Sequence, residues 1–314
     1  MNQDIICNEI DNAIKCLTNL KNLIRTDVKI EVQSTEPIAA IVEPVQVQST
    51  EPAVQVADSD FENLKKALYS DKWPNAVNPN LICDSTSDAD KKERGIGILE
   101  LVIEEPIKTG KFLDFGCGEG HCAAAAVEIL GCSSSVGYDT KKFNWPTVAN
   151  TTFTTSYEEI TQLGHYNAIL MFDVLDHASG ETPAELLKKA ADVLAPDGCI
   201  YMRCHPWMSR HATHLYHKIN KAYAHLVFTE DELRQLSDYV PENNIKAAYP
   251  VVTYEKIIKE SGLKIKTQRN ITEKVDNFFK VPKLAERIML NTGHKSYPEF
   301  QMGLQFIDYV LVKE

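Results

Sequence analysis

The sequence predicts an α/β fold in the form of a doubly wound, mostly parallel sheet. Three observations carry that prediction. Apolar runs of strand length alternate with helical stretches from residue 111 onward, glycines crowd the passage from the first run to its helix, and a 44% hydrophobic content over 314 residues suffices for a large core.

In chain order, residues 3–26 place Ile6, Ile10, Ala13, Leu17, Leu20 and Ile24 at spacings of 4, 3, 4, 3 and 4. This is the seam of a short coiled coil, through which the chain would join a second copy or an assembly. An amphipathic helix docked on its own domain fits the pattern equally well. Residues 1–30 are helical on either reading. Residues 31–59 read as an acidic linker: no Lys or Arg occurs from 31 to 64, VQSTEP recurs at 32–37 and 47–52, and Pro37, Pro44 and Pro52 withdraw backbone donors from any sheet. The main domain then spans 60–314.

Strands are expected at 111–116, 135–139, 151–155, 166–173 and 198–203, with helices such as 121–131 and 183–194 between them. Thr182, Pro183 and Glu185 form a capping box with proline at the first helical position, and Thr229 with Glu232 forms a second box ahead of 230–237. A helix at 252–260 precedes two later strands, 263–269 and 306–313, which suit an antiparallel edge. A His-rich insertion falls at about 204–250, where Leu215, Ile219, Ala222 and Leu226 form a helical stripe. That helix would set His214, Lys218, Lys221 and His225 on another face.

Charge and cysteine usage exclude several functions. The net charge of −11 repels phosphate backbones, although residues 1–60 hold ten acids and four bases and so carry much of the excess. The eight cysteines contain no CxxC pair, which fits a reduced, cytoplasmic setting. No stretch of about 18 apolar residues is present to span a membrane. His211, His214 and His217 stand three apart with no supporting CxxC, so no metal site is expected.

The densest chemistry is K-F-L-D-F-G-C-G-E-G, a strand carrying Asp114 that runs into Gly116 and Gly118 before a helix. Glycines there let a ligand lie against bare backbone, and a helix N-terminus offers free N–H groups. The dinucleotide fingerprint would need glycine at 121, where the chain has His121. Asp139 closes the next strand, 23 residues after Gly116, where an acid can accept both hydroxyls of a ribose. These residues resemble the first motif of class I S-adenosylmethionine-dependent methyltransferases, an acid followed by GxGxG. YNAILMFDVLDHA is similar to the fourth strand of small-molecule members, and VLAPDGCIYM to the turn before their fifth.

That resemblance covers residues from about 95 to 203. It implies a seven-stranded Rossmann-like sheet, S-adenosyl-L-methionine as cofactor and a small-molecule acceptor. Asp114, Gly116, Cys117, Gly118, Asp139, Thr140, Phe172 and Asp173 would hold the cofactor, with Ser156 and Tyr157 near adenine. His177, following the fourth strand, is the candidate general base, since imidazole titrates near neutrality; Asp173, Asp176 and His205 complete the catalytic group. Arg203, Trp207 and Arg210 offer donors and an aromatic surface to an acceptor bearing a carboxylate or phosphate. The fourth strand ends FDVLDH instead of Asn/Asp-Pro-Pro-aromatic, which disfavours DNA bases as acceptors. A non-catalytic methyltransferase-like adaptor, tethered through residues 3–26, is the alternative.

Overall fold

Seven strands follow the alternating pattern: β1 (Lys111–Phe115), β2 (Ser134–Tyr138), β3 (Thr151–Thr154), β4 (Tyr166–Phe172), β5 (Leu194–Cys204), β6 (Leu263–Thr272) and β7 (Leu304–Lys313). The computed structural model describes residues 58–77, 87–103, 107, 110–177, 181–212, 215–237 and 249–314. The expected coiled-coil helix at 3–26, nearly all of the expected linker and His214 lie outside the described residues. The helices are α1 (Asp58–Leu68), α2 (Asp88–Val102), α3 (His121–Leu130), α4 (Tyr157–Gln162), α5 (Pro183–Asp192), α6 (Ala224–Val227), α7 (Glu230–Leu236), α8 (Val251–Glu260), α9 (Pro282–Thr292) and α10 (Glu299–Gly303).

The sheet runs β3-β2-β1-β4-β5-β7-β6. The first five strands are parallel, whereas β7 pairs antiparallel with both β5 and β6, as the two late strands predicted. Strand order reverses at β1, which lies between β2 and β4, so a crevice opens beyond their carboxyl ends. Helices cover both faces. On one, Leu113, Ile169 and Ile200 pack with Leu187 and Ile257; on the other, Phe112 and Leu170 pack with Leu99, Ala125 and Leu130. Burial on both faces explains why β4 is apolar almost throughout. Both capping boxes form, at Thr182 with Glu185 and at Thr229 with Glu232.

A further core lies off the sheet, built from α1, Trp73 just beyond it, the insertion after β5 and the segment joining β6 to β7. Leu64, Leu68, Phe228, Phe279 and Ile288 are among its buried members. Here the structure corrects one expectation. The stripe at 215–226 is not one helix but a 3-10 turn (Leu215–His217) and the short α6, separated by Tyr223 at φ 55°. Its backbone is engaged elsewhere: Ala222 N–H donates to Pro74 O at 2.9 Å, Trp73 Nε1 donates to Ala222 O at 2.9 Å, and Asn220 bonds both N–H and C=O of Val77. The stripe residues are nonetheless buried, and so is His225, which was expected on the opposite face. Desolvation pushes its imidazole down to about 4, and it lies 3.0 Å from Trp207 O.

Candidate cofactor and acceptor site

The crevice beyond β1 and β4 is a cavity of about 1140 Å³. Pockets for one small molecule run to about 300–1,000 Å³, so this one has room for two. Its floor is the loop after β1. Gly116 N–H and Cys117 N–H both donate to Tyr138 O, at 2.7 and 2.9 Å, which folds the loop over the tip of β2. Gly116 sits at φ 82°, and a Cβ there would stand 2.7 Å from Val174 Cγ2. Gly118 sits at φ 49°, and a Cβ there would meet nothing within 4 Å, so its Cα faces open space, while its C=O accepts from Trp145 Nε1 at 2.8 Å.

Two carboxylates frame the loop. Asp114 is buried, and its Oδ2 accepts from Ala123 N–H at 3.1 Å in the first turn of α3. Desolvation pushes its carboxyl up to about 7, partly offset by that N–H and reinforced by Asp139. Asp139 is pinned at the rim: Oδ2 accepts from Gly118 N–H and Oδ1 from Lys141 N–H, both at 2.9 Å. An ionised carboxylate accepts about four hydrogen bonds, so both oxygens keep lone pairs for a further donor. Burial pushes the Cys117 thiol far up, so it stays protonated and contributes shape rather than nucleophilicity.

Beyond β4 the chain turns at Asp173, a non-glycine residue at φ 55°. Its Oδ1 lies 3.1 Å from Nε2 of the buried His205. Asp173 lines the cavity together with Thr140, Phe172 and the exposed His177. Asp114, Gly116, Cys117, Gly118 and Asp139 line it too, so most of the expected residues meet in one place.

Four do not. Ser156 caps α4 through Glu159 N–H, and the Tyr157 hydroxyl donates to Lys189 O at 3.0 Å; neither lines the cavity. Trp207 packs on the off-sheet core, its ring 5.3 Å from that of His225. Arg203 is buried in a bidentate pair with Asp308, Nε to Oδ1 at 2.6 Å and Nη2 to Oδ2 at 2.8 Å. Its guanidinium carbon lies 5.3 Å from the Phe172 ring centre and 4.8 Å from that of Phe306, and both of these rings line the cavity. The arginine expected to grip an acceptor therefore braces two aromatic walls. Arg210 does reach the cavity, but its Nε and Nη2 donate to Asn75 O.

Sequence reasoning missed Arg94 and Ile98 of α2, which share one helical face and line the cavity near the glycine loop. The signal available was their i, i+4 spacing ahead of β1. Phe306, Tyr216 and Glu273 were also missed, since nothing local in the sequence ties them to β1. Among the described residues, no group of three or more His, Cys, Asp or Glu is placed to hold a metal ion. No helix among them is long and apolar enough to cross a membrane.

A reversing parallel sheet with a glycine floor and a pinned acid on the second strand defines a nucleoside-binding α/β domain of the class I methyltransferase fold. Residues 90–240 match a family described as "Methyltransferase domain". No curated protein matches the chain. Among solved structures, the chain is similar to a putative S-adenosylmethionine-dependent methyltransferase from Listeria monocytogenes, with 17% identity over 71% of this chain and 100% of that one and a TM-score of 0.44. It is also similar to a SAM-dependent methyltransferase from Archaeoglobus fulgidus, with 15% identity over 71% and 94% and a TM-score of 0.44. A third is the 1,6-didemethyltoxoflavin-N1-methyltransferase of Burkholderia thailandensis, with 12% identity over 72% and 79% and a TM-score of 0.38.

Proposed function

We propose that the protein transfers a methyl group from S-adenosylmethionine to a small-molecule acceptor. One observation carries the reading: Asp139 is locked by two backbone N–H groups beside the open backbone of Gly118, with lone pairs left for a pair of ribose hydroxyls. The loop from Gly116 to Gly118 receives the amino-acid end of the cofactor, near Arg94, and Thr140 borders its nucleoside. When bound, this cofactor supplies an electrophilic methyl carbon on a sulfonium.

The remaining work falls to the chain's own residues, which must hold the acceptor in line and remove its proton. Asp173, steadied by His205, accepts a hydrogen bond from the acceptor's O–H or N–H and orients the heteroatom. That atom's lone pair would receive the methyl carbon of a cofactor held over the Gly116–Gly118 loop, with the electrons of the carbon–sulfur bond remaining on sulfur. The proton passes to the imidazole of His177 and on to solvent, to which this side chain is exposed.

Calorimetric titration tests the reading. Wild-type protein is expected to bind S-adenosylmethionine and S-adenosylhomocysteine, and Asp139→Ala to lose at least about tenfold in affinity, since charge-assisted hydrogen bonds contribute roughly 1.5–3 kcal/mol. A wild-type protein that binds neither compound would overturn the enzymatic reading in favour of an adaptor.

A further inference from the structure

We infer that the acceptor is a planar aromatic molecule without a phosphate or carboxylate group, seated against Phe306, His211 and Tyr216. The inference rests on methyl transfer at the same cavity and adds the class of molecule that receives the methyl. It comes from the half of the cavity away from the glycine loop, where the rings form a continuous wall. Phe306 lies 4.7 Å from His205 and 5.2 Å from His211 between ring centres, and His211 lies 6.3 Å from Tyr216. Phe306, His211 and Tyr216 are half-buried and line the cavity, whereas His205 stands behind them, buried. Phe172 continues the surface towards the cofactor half, since Arg203 lies against the rings of both Phe172 and Phe306. Such edge-on and tilted rings favour a flat π-system over an alicyclic body of equal size.

Charge argues against an anion. The cavity lining contains six carboxylates (Asp114, Glu119, Asp139, Asp173, Glu181 and Glu273) and three cations (Arg94, Lys141 and Arg210). Arg94 and Lys141 lie on the cofactor side, on α2 and just after β2. Arg210 is the one cation lining the acceptor half among the described residues, and it is committed to Asn75 O, with Glu273 3.6 Å from its Nη1. Arg203, behind Phe172 and Phe306, is buried and bonded to Asp308, which Arg269 shares. An anionic acceptor would meet Asp173 and Glu273 with Arg210 as the lining cation beside them, already engaged by Asn75 O and Glu273, while a phenolic O–H or a ring N–H finds in the two carboxylates hydrogen-bond acceptors.

The full chain, saturated with S-adenosylhomocysteine, is titrated calorimetrically with 2-naphthol, its saturated counterpart decahydro-2-naphthol, and 2-naphthyl phosphate. 2-Naphthol is expected to bind at least about tenfold more tightly than either control, as two aromatic contacts imply. Phe306→Leu and Tyr216→Leu are each expected to reduce that preference about threefold or more, with S-adenosylhomocysteine affinity unchanged as evidence of an intact fold. Equal binding of the saturated alcohol, tightest binding of the phosphate, or no binding of 2-naphthol overturns the inference. Each of those results, obtained with S-adenosylhomocysteine bound, leaves methyl transfer standing. Failure of S-adenosylhomocysteine to bind wild-type protein removes both.

Discussion

Asp114 shows how one buried carboxyl ties pH to stability. In the folded chain it releases its proton near pH 7, against an ordinary 3.8, chiefly because burial strips its hydration. Between those values the folded state holds a proton that the unfolded state has lost. Stability therefore falls as pH rises through that window and levels off above about 7. Relative to Asp114→Asn, which keeps an acceptor for Ala123 N–H, the wild type is expected to lose up to about 1.4 kcal/mol per pH unit between pH 5 and 7. Urea unfolding at stepped pH reads this slope, and parallel profiles for the two proteins would rule it out. Asp114, Gly116, Gly118 and Asp139 were legible because their neighbours in space are neighbours in sequence or lie on the adjacent strand. Arg203 was misread for the opposite reason. Its partner, Asp308, is 105 residues away, and no local pattern separates a buried structural arginine from one reaching for a ligand.

The loop between β1 and α3 separates two kinds of glycine requirement. At Gly116 a methyl group would be both strained by φ 82° and driven against Val174, whereas at Gly118 it would bear only a left-handed φ of 49° and enter open space. Gly116→Ala is therefore expected to lower the melting temperature clearly more than Gly118→Ala, whose strain costs roughly 1–2 kcal/mol. Gly118→Ala should instead weaken S-adenosylhomocysteine binding beyond its effect on stability. Unchanged affinity in that variant would mean that the ligand does not lie on this backbone. Strands and capped helices were readable in the same region because alternation and capping chemistry are local. The insertion at 215–226 was not, since its apolar spacing matched a helix while its backbone hydrogen bonds went to the segment at 73–77.

At the scale of the whole molecule, the cavity residues all fall within one compact unit, Val56–Glu314. A chain beginning at Val56 is expected to bind S-adenosylhomocysteine within about twofold of the full chain, well under the 1.4 kcal/mol that a tenfold change represents. A chain beginning after Val77 would lose Leu64, Leu68 and Trp73, each nearly inaccessible to solvent in the off-sheet core. Deleting even one such side chain typically costs about 2–5 kcal/mol, so this shorter chain is expected to show no cooperative melt. Cooperative melting of the shorter chain, or loss of binding by the longer one, would contradict this division. Sequence composition pointed to an appended N-terminal part but not to the role of α1, whose partners lie some 140 to 230 residues further along.

Strand order also bears on how the chain matures during synthesis. β7 lies between β5 and β6, so β6 leaves the ribosome before the strand that joins it to the sheet. The glycine floor and the pinned acid draw on β1, β2, α3, Thr154 of β3 and Val174 after β4, all of which precede β6 and β7 in the chain. Phe306 and the Asp308 anchor of Arg203 arrive only with β7, so the aromatic wall is completed late. The half of the cavity built at β1 and β2 is therefore encoded ahead of the half that β7 walls.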